Sequence, residues 1–252
     1  MKRLAIITTH PIQYNVPWFR KLAAEPGIEV RVFYTWHADG EARYDPDFQR
    51  NIAWDIPLLE GYNYSLVAPQ PTVDYRTFWR LKNDTTGPIE DWGADGVLVM
   101  GWNYLSHLQA MRYFSGTIPV FFRGDSTLLD DRSLFRRRMR KHFLRKVYSY
   151  VDAVFFVGAN NYEYFQKHGM SEPQLTYAPH AVDNTRFSHN APSHEAEARQ
   201  WRQLLGIPSE SVVFLFVGKL IELKSPLLLL KAFQELPNDR KPHLIYVGNG
   251  DC

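Results

Sequence analysis

Between Val217 and Pro226 the chain reads Val-Gly-Lys-Leu-Ile-Glu-Leu-Lys-Ser-Pro, placing two ammonium groups, Lys219 and Lys224, on either side of a turn. Ser225 suits a helix N-cap and Pro226 the first helical position, so Lys224 is expected beside a helix N-terminus. Cations at the positive end of a helix attract a phosphate or diphosphate. Gly218 before the first lysine permits close backbone approach, and Gly248-Asn249-Gly250 repeats that permission after the next apolar run. A second set of polar residues follows other apolar runs. Thr9-His10-Pro11-Ile12-Gln13 offers His10 and Gln13, Gly101-Trp102-Asn103 offers a flat ring and an amide, and Arg123-Gly124-Asp125 offers a carboxylate beside a flexible glycine. His10 reads either as a loop histidine tied to its own backbone or as a polar contact to substrate. Trp102 reads as a sugar-stacking platform or an interface aromatic, and Asp125 as a group reaching a cleft or as a helix cap or partner of Arg123.

These residues need elements to hold them. Short apolar runs without alternation recur at 4–7, 30–34, 97–100, 120–122, 153–157, 212–217 and 244–247. Strands covered on both faces have this pattern. Helical spacing intervenes near 16–24, 104–114, 133–150, 160–168, 195–205 and 227–236, with Asn15 placed to cap the first helix and Pro17 in its first turn. Alternating strand and helix predict an α/β fold with a Rossmann-like, doubly wound parallel sheet. In such sheets ligands lie outside the carboxyl ends of the strands, where each of the polar loops above falls. The polar stretch from Asp183 to Arg202 separates two blocks of the pattern. We therefore divide the chain into a first domain at 1–185, a linker and helix at 186–210, and an incomplete second domain at 211–252. Two strands and one crossover helix bury little apolar surface, so the chain is expected to be truncated.

Composition narrows the chemistry. The 252 residues carry 29 Lys and Arg against 27 Asp and Glu, a net +2, with 45% apolar residues and one cysteine, Cys252. This is a globular composition with no internal disulfide, and a reducing, cytoplasmic setting is the default. The first apolar run is too short for a signal peptide or a bilayer span. Neither G-x-G-x-x-G nor G-x-x-x-x-G-K-[ST] occurs, which removes dinucleotide-redox and P-loop readings. His194-Glu195 begins an H-E-x-x-H pattern that Ala198 breaks, so no metal site is expected.

The run Val217-Gly218-Lys219 through Lys224-Ser225-Pro226 and its leucine-rich continuation, then Tyr246-Val247-Gly248-Asn249-Gly250, resembles the start of the donor domain in retaining GT-B glycosyltransferases of family 4. That family reads V-G-R-L, then K-G, a leucine-rich helix and V-G-x-G. Tyr177-Ala178-Pro179-His180-Ala181-Val182-Asp183, followed by Arg186-Phe187, is similar to its P-N-G-V-D-x-x-x-F linker, and His10-Pro11-Ile12-Gln13-Tyr14 to an H-P-x-Q-Y loop of one subgroup. Lys219 stands where arginine is usual, Ser225 where glycine is usual, His180-Ala181 where Asn-Gly is usual, and Asp125 where many relatives carry histidine. The E-x7-E motif that holds the donor sugar is not reached by Cys252. The resemblance implies transfer of a sugar from a nucleotide-diphosphate sugar to a glycan or lipid-linked acceptor, with retention and without cofactor or metal. It implies that Gly218, Lys219, Lys224, Gly248 and Gly250 hold the donor diphosphate, backbone amides near Gly218 and Gly248 included. Gln13, Trp102 and Asn103 would face the acceptor, and His10 and Asp125 would act in catalysis. These 252 residues alone are expected to be inactive. A nucleotide-sugar epimerase would use the same anion loop without an acceptor, and a non-catalytic binding fragment is the third reading.

Charge is concentrated in one helix. Arg132, Arg136, Arg137, Arg138, Arg140, Lys141, Arg145 and Lys146 are eight of the 29 basic residues, so the remainder carries 21 against 27, a net −6. Phe135, Met139, Phe143 and Val147, four residues apart, are expected to pack on the sheet. The basic face reads as a solvated surface or as contact with an anionic membrane at the inner face. Nucleic acid is disfavoured because no recognised binding module accompanies the patch.

Overall fold

The computed structural model describes residues 1–36, 43–45, 50–52, 54–67, 83–129, 134–187, 192–237 and 241–252. It divides into two units, Met1–Gly40 with Trp54–Val182, and Glu41–Ala53 with Asp183–Cys252.

The first unit opens with β1 (Lys2–Thr8), α1 (Val16–Ala23) and β2 (Ile28–Tyr34). The hairpin of β3 (Arg43–Asp45) and β4 (Arg50–Ile52) interrupts it and belongs to the second unit. It resumes with β5 (Asn63–Leu66), α2 (Thr86–Trp92), β6 (Gly96–Met100), α3 (Leu105–Phe114) and β7 (Val120–Arg123). Then come α4 (Leu134–Tyr148), β8 (Ala153–Phe156), α5 (Ala159–Lys167) and β9 (Leu175–Tyr177). The seven strands form one sheet in the order β5-β2-β1-β6-β7-β8-β9. Every pairing in it is parallel.

Because successive strand residues point to opposite faces, β1 supplies both halves of the core. Ala5 and Ile7 join Phe33, Val97, Val99, Val120, Phe122 and Val154 under α2 to α5. Ile6 joins Val30, Val32, Tyr34 and Leu98 under Val16 and Phe19 of α1. Each large side chain buried this way contributes roughly 1.5–3 kcal/mol. The continuous apolar runs of this unit thus reflect a sheet covered on both sides.

Two local expectations are corrected. Asn15 sits at the N-cap of α1, but its side chain makes no capping bond and instead accepts from the Trp18 indole N–H at 3.3 Å. In α4 the inward face carries Leu144, Val147 and Tyr148, while Met139 and Phe143 are exposed. The Phe135 side chain lies outside the described residues.

The second unit contains α6 (Pro192–Leu204), β10 (Val213–Val217), α7 (Pro226–Gln234) and β11 (His243–Val247). The strands β10 and β11 pair in parallel from Val213 opposite His243 to Val217 opposite Val247, and α7 is the crossover between them. Phe214 meets Phe233 of α7 edge-on at 5.9 Å. The apolar run of β10 has the pattern of a strand covered on both faces, but, as two strands with one crossover helix lead one to expect, it leaves Leu215 61% and Val217 70% exposed, because one helix shields only one side of a two-stranded ribbon.

Candidate functional site

The strand order places a topological switch point between β1 and β6. From β1 the chain winds to β2 on one side, while β6 lies on the other and leads to β7. In open parallel sheets, ligands bind where the loops at the carboxyl ends of two such strands diverge. His10 and Gln13 follow β1, and Trp102 and Asn103 follow β6, whose Val99 is in register with Ile7. Asp125 follows β7, one strand further, with Arg123 opposite Met100. With neighbouring strands about 4.8 Å apart, the three loops rise from one edge over about 10 Å.

Each loop is anchored. The His10 ring is held by the Thr9 hydroxyl, 2.9 Å from Nδ1, and meets Trp36 edge-on at 5.5 Å. Gln13 is half-buried within the turn that leads into α1, where the Asn15 N–H donates to the Ile12 carbonyl. Trp102 is packed by Phe143 at 5.6 Å, with the Arg140 guanidinium 5.7 Å from its ring centre, whereas Asn103 is exposed. Asp125 is also exposed. Arg123 beside it donates to the carbonyls of Ala178 and Pro179 at 2.6 and 3.1 Å. Burial lowers the Arg123 pKa and the neighbouring Asp125 charge opposes that shift.

Two positioning residues escaped the sequence reading. His107 is fully buried, its Nδ1 2.9 Å from the Gly101 carbonyl and its Nε2 3.3 Å from the Thr35 hydroxyl. A carbonyl only accepts, so Nδ1 carries the proton and Nε2 accepts from Thr35. The imidazole thereby ties the end of β2 to the end of β6 across β1. Burial pushes its pKa down to about 4 despite backbone hydrogen bonds that favour the cation. Asn161 of α5, also buried, accepts from the Val157 N–H at 3.0 Å and donates to the Ser126 carbonyl at 2.7 Å, fixing the loop that carries Asp125. A signal for His107 was present: Ser106 and His107 interrupt the face that Ala110, Met111 and Phe114 bury.

In the second unit the loop from Gly218 to Ser225 leaves the carboxyl end of β10 and enters α7. Residues Glu222–Lys224 form a single 3-10 turn, and Ser225 adopts a left-handed conformation with φ 51°. Its hydroxyl donates back to the Glu222 carbonyl at 3.3 Å rather than capping the helix. Lys224 is exposed and adjoins the first turn of α7, whose Pro226 carbonyl accepts from the Tyr246 hydroxyl at 2.7 Å. Lys219 is half-buried nearer the strand.

The glycines here have a second purpose. A Cβ on Gly248 would lie 1.8 Å from the Gly218 carbonyl oxygen, and one on Gly250 2.2 Å from that of Leu220. The Gly218 N–H donates to Val247 and the Leu220 N–H to Asn249, both at 2.9 Å. Gly218's amide is therefore engaged by the neighbouring strand end. Among the described residues no cluster of three or more His, Cys, Asp and Glu could hold a metal. No helix among them is long and apolar enough to cross a membrane.

No known protein family matches the sequence, and no curated protein matches it significantly. Solved structures do match. Anabaena HepE, crystallised with UDP and glucose, aligns over 100% of this chain and 62% of its own at 14% identity, with a TM-score of 0.61. The UDP-GlcNAc 2-epimerase of Neisseria meningitidis, bound to UDP-GlcNAc, aligns over 98% and 72% at 17% identity and a TM-score of 0.55. The UDP-GlcNAc 2-epimerase of Methanocaldococcus jannaschii aligns over 98% and 65% at 11% identity and a TM-score of 0.52. The chain thus spans about three fifths of HepE. At these identities the likeness is one of fold, and the fold it establishes is α/β and GT-B-like, with a Rossmann-like parallel sheet in the first unit and a βαβ element in the second.

Proposed function

We propose that the protein is a glycosyltransferase of the retaining family 4 type, moving a sugar from a nucleotide-diphosphate donor to a glycan or lipid-linked acceptor. The observation that carries this reading is the Lys219–Lys224 loop at a strand end and helix start, on a fold whose structural neighbours were crystallised with UDP or a UDP-sugar. As the bond between the anomeric carbon and the diphosphate breaks, the sugar gains oxocarbenium character and the leaving group gains negative charge. Lys219 and Lys224 stabilise that charge where a divalent cation would otherwise serve. The acceptor occupies the switch-point edge of the first unit, oriented by Gln13, Trp102 and Asn103. His10 and Asp125 are the groups there able to take the proton its hydroxyl gives up.

A second reading, nucleotide-sugar epimerisation, is favoured by the likeness to the two epimerases. The products separate the two. Radiolabelled UDP-glucose or UDP-GlcNAc is incubated with a glycan and lipid extract and with the protein as its gene encodes it, residues 1–252 included. Label in the acceptor with release of UDP supports transfer. Label in an epimeric nucleotide sugar without acceptor supports epimerisation, and neither product removes both. In the transfer assay Lys224→Ala and Lys219→Ala are each expected to lower kcat/KM about ten- to a hundredfold, the worth of one charge-assisted hydrogen bond of roughly 1.5–3 kcal/mol. Unchanged kinetics in both variants would relegate the pair to solvated surface.

A further inference from the structure

The outward face of α4 is both basic and apolar. Leu144, Val147 and Tyr148 turn inward, and the opposite side presents Arg138, Met139, His142, Phe143, Arg145 and Lys146. Met139 is 60% and Phe143 44% exposed. On the loop leading from β7 toward this helix, Leu129 is 75% exposed. Phe143 is shared between Trp102 and solvent, whereas Met139 stands outward among the cations. Those residues suit a surface that is anionic at its boundary and apolar beneath.

We infer that α4 docks the protein on an anionic lipid bilayer, with Met139 and Phe143 entering the headgroup boundary and Arg138, Arg145 and Lys146 pairing with lipid phosphates. Charge complementarity selects this occupant. The segment 132–146 holds eight cations and no carboxylate, while the rest of the chain is net negative, so a negative surface attracts this face and repels the remainder. A nucleic acid would use the cations but gain nothing from Met139, which has no ring to stack on a base. Docking also has a geometric consequence at the candidate site. Phe143 and Arg140 both contact Trp102, so the docked helix carries the carboxyl edge of β6 with it. The inference concerns binding alone and stands whichever sugar reaction the protein catalyses.

Sedimentation with vesicles of phosphatidylcholine, with and without 30% phosphatidylglycerol, tests it at about 0.1 M salt and at 1 M, where the Debye length falls from about 10 to 3 Å. The expected result is binding to the anionic vesicles only, lost at 1 M salt. Binding is expected to fall at least tenfold in both Met139→Asp and the Arg138→Gln, Arg145→Gln, Lys146→Gln triple variant. These side chains are exposed, so the variants should keep the wild-type circular dichroism. A positive readout comes from Met139→Cys in a Cys252→Ser background, labelled with an environment-sensitive dye, whose emission should shift to the blue on anionic vesicles. Equal sedimentation on both lipids, variants that bind like wild type, an unshifted dye, or binding to duplex DNA in place of vesicles would overturn the inference.

Discussion

The fold holds His107 neutral well below the pH at which a histidine ordinarily titrates, and that control is measurable. Its folded pKa is about 4, depressed by burial, against about 6.5 in the unfolded chain. Between those values the unfolded state binds the extra proton and the folded state does not, so stability must fall as pH drops from 6.5 toward 4 and level off below. The full effect is about 3 kcal/mol. We expect the melting temperature to decline over that window, and to decline less steeply in His107→Asn, whose amide can still donate to the Gly101 carbonyl. Parallel slopes would mean that the imidazole is not the group excluded from protonation. The comparison must be of slopes, because burial also lowers the His168 pKa, with the same sign. Sequence placed His10, Gln13, Trp102, Asn103 and Asp125 on strand-end loops, since that rule needs only the strands. The roles of the buried groups beneath them, His107, Thr35 and Asn161, were not legible because their bonds cross from one strand end or helix to another, although the polar pair Ser106-His107 on an apolar face marked one of the positions.

At the scale of elements, legibility followed the length and character of each apolar run. β1, β2 and β6 are long and β-branched, and the helices between them carry clear spacing. β5, β9 and α2 are short and mixed in composition, so nothing local distinguishes them from loop. The α4 stripe failed for a geometric reason. Residues four apart advance about 400° around a helix of 3.6 residues per turn, so each step drifts about 40°. Over Phe135, Met139, Phe143 and Val147 the drift totals about 120°, and one end must leave the core. The mixed three- and four-residue spacing of Leu144, Val147 and Tyr148 stays inside. Glycines posed a different problem, because a glycine that lets a phosphate approach and one that lets two loops touch look alike in sequence. At Gly248 and Gly250 the touching atoms are backbone carbonyl oxygens, which cannot swing aside as a flexible side chain would. Gly248→Ala is therefore expected to destabilise the second unit by at least about 2 kcal/mol in urea unfolding, within the range of overpacking costs. Gly158→Ala, at an extended residue with nothing within 4 Å of the added carbon, should cost less than about 1 kcal/mol. Equal costs would show that the β10 and β11 loops yield freely.

The two units should differ in stability, and the reason is the area each takes from water. In the first, both faces of a seven-stranded sheet are covered, and Ala5, Ile6, Ile7, Val97 and Val99 are almost wholly excluded from solvent. Among the described residues of the second unit, no side chain of α6 or β10 is fully buried, and Leu215, Val217, Leu228 and Val247 all stand more than half exposed. Opening β10 from β11 therefore gives up little hydrophobic stabilisation beyond the ladder itself, and such regions exchange their amide hydrogens through local opening well below the global unfolding energy. Native-state hydrogen exchange should find the amides of 213–217 and 243–247 exchanging at least a hundredfold faster than those of β1 and β6. That ratio corresponds to an opening free energy roughly 2.7 kcal/mol lower. Under the proposed function, the ordering also sets how a nucleotide would act on the protein. A ligand held by Lys219 and Lys224 binds only the closed loop, so at a hundred times its dissociation constant it adds about 2.7 kcal/mol to the second unit and slows exchange there by about the same hundredfold. The amides of β1 and β6 should be unaffected. Equal protection of both units without nucleotide would contradict the burial argument, whereas protection by UDP confined to the first unit would move the anion site away from the lysine loop.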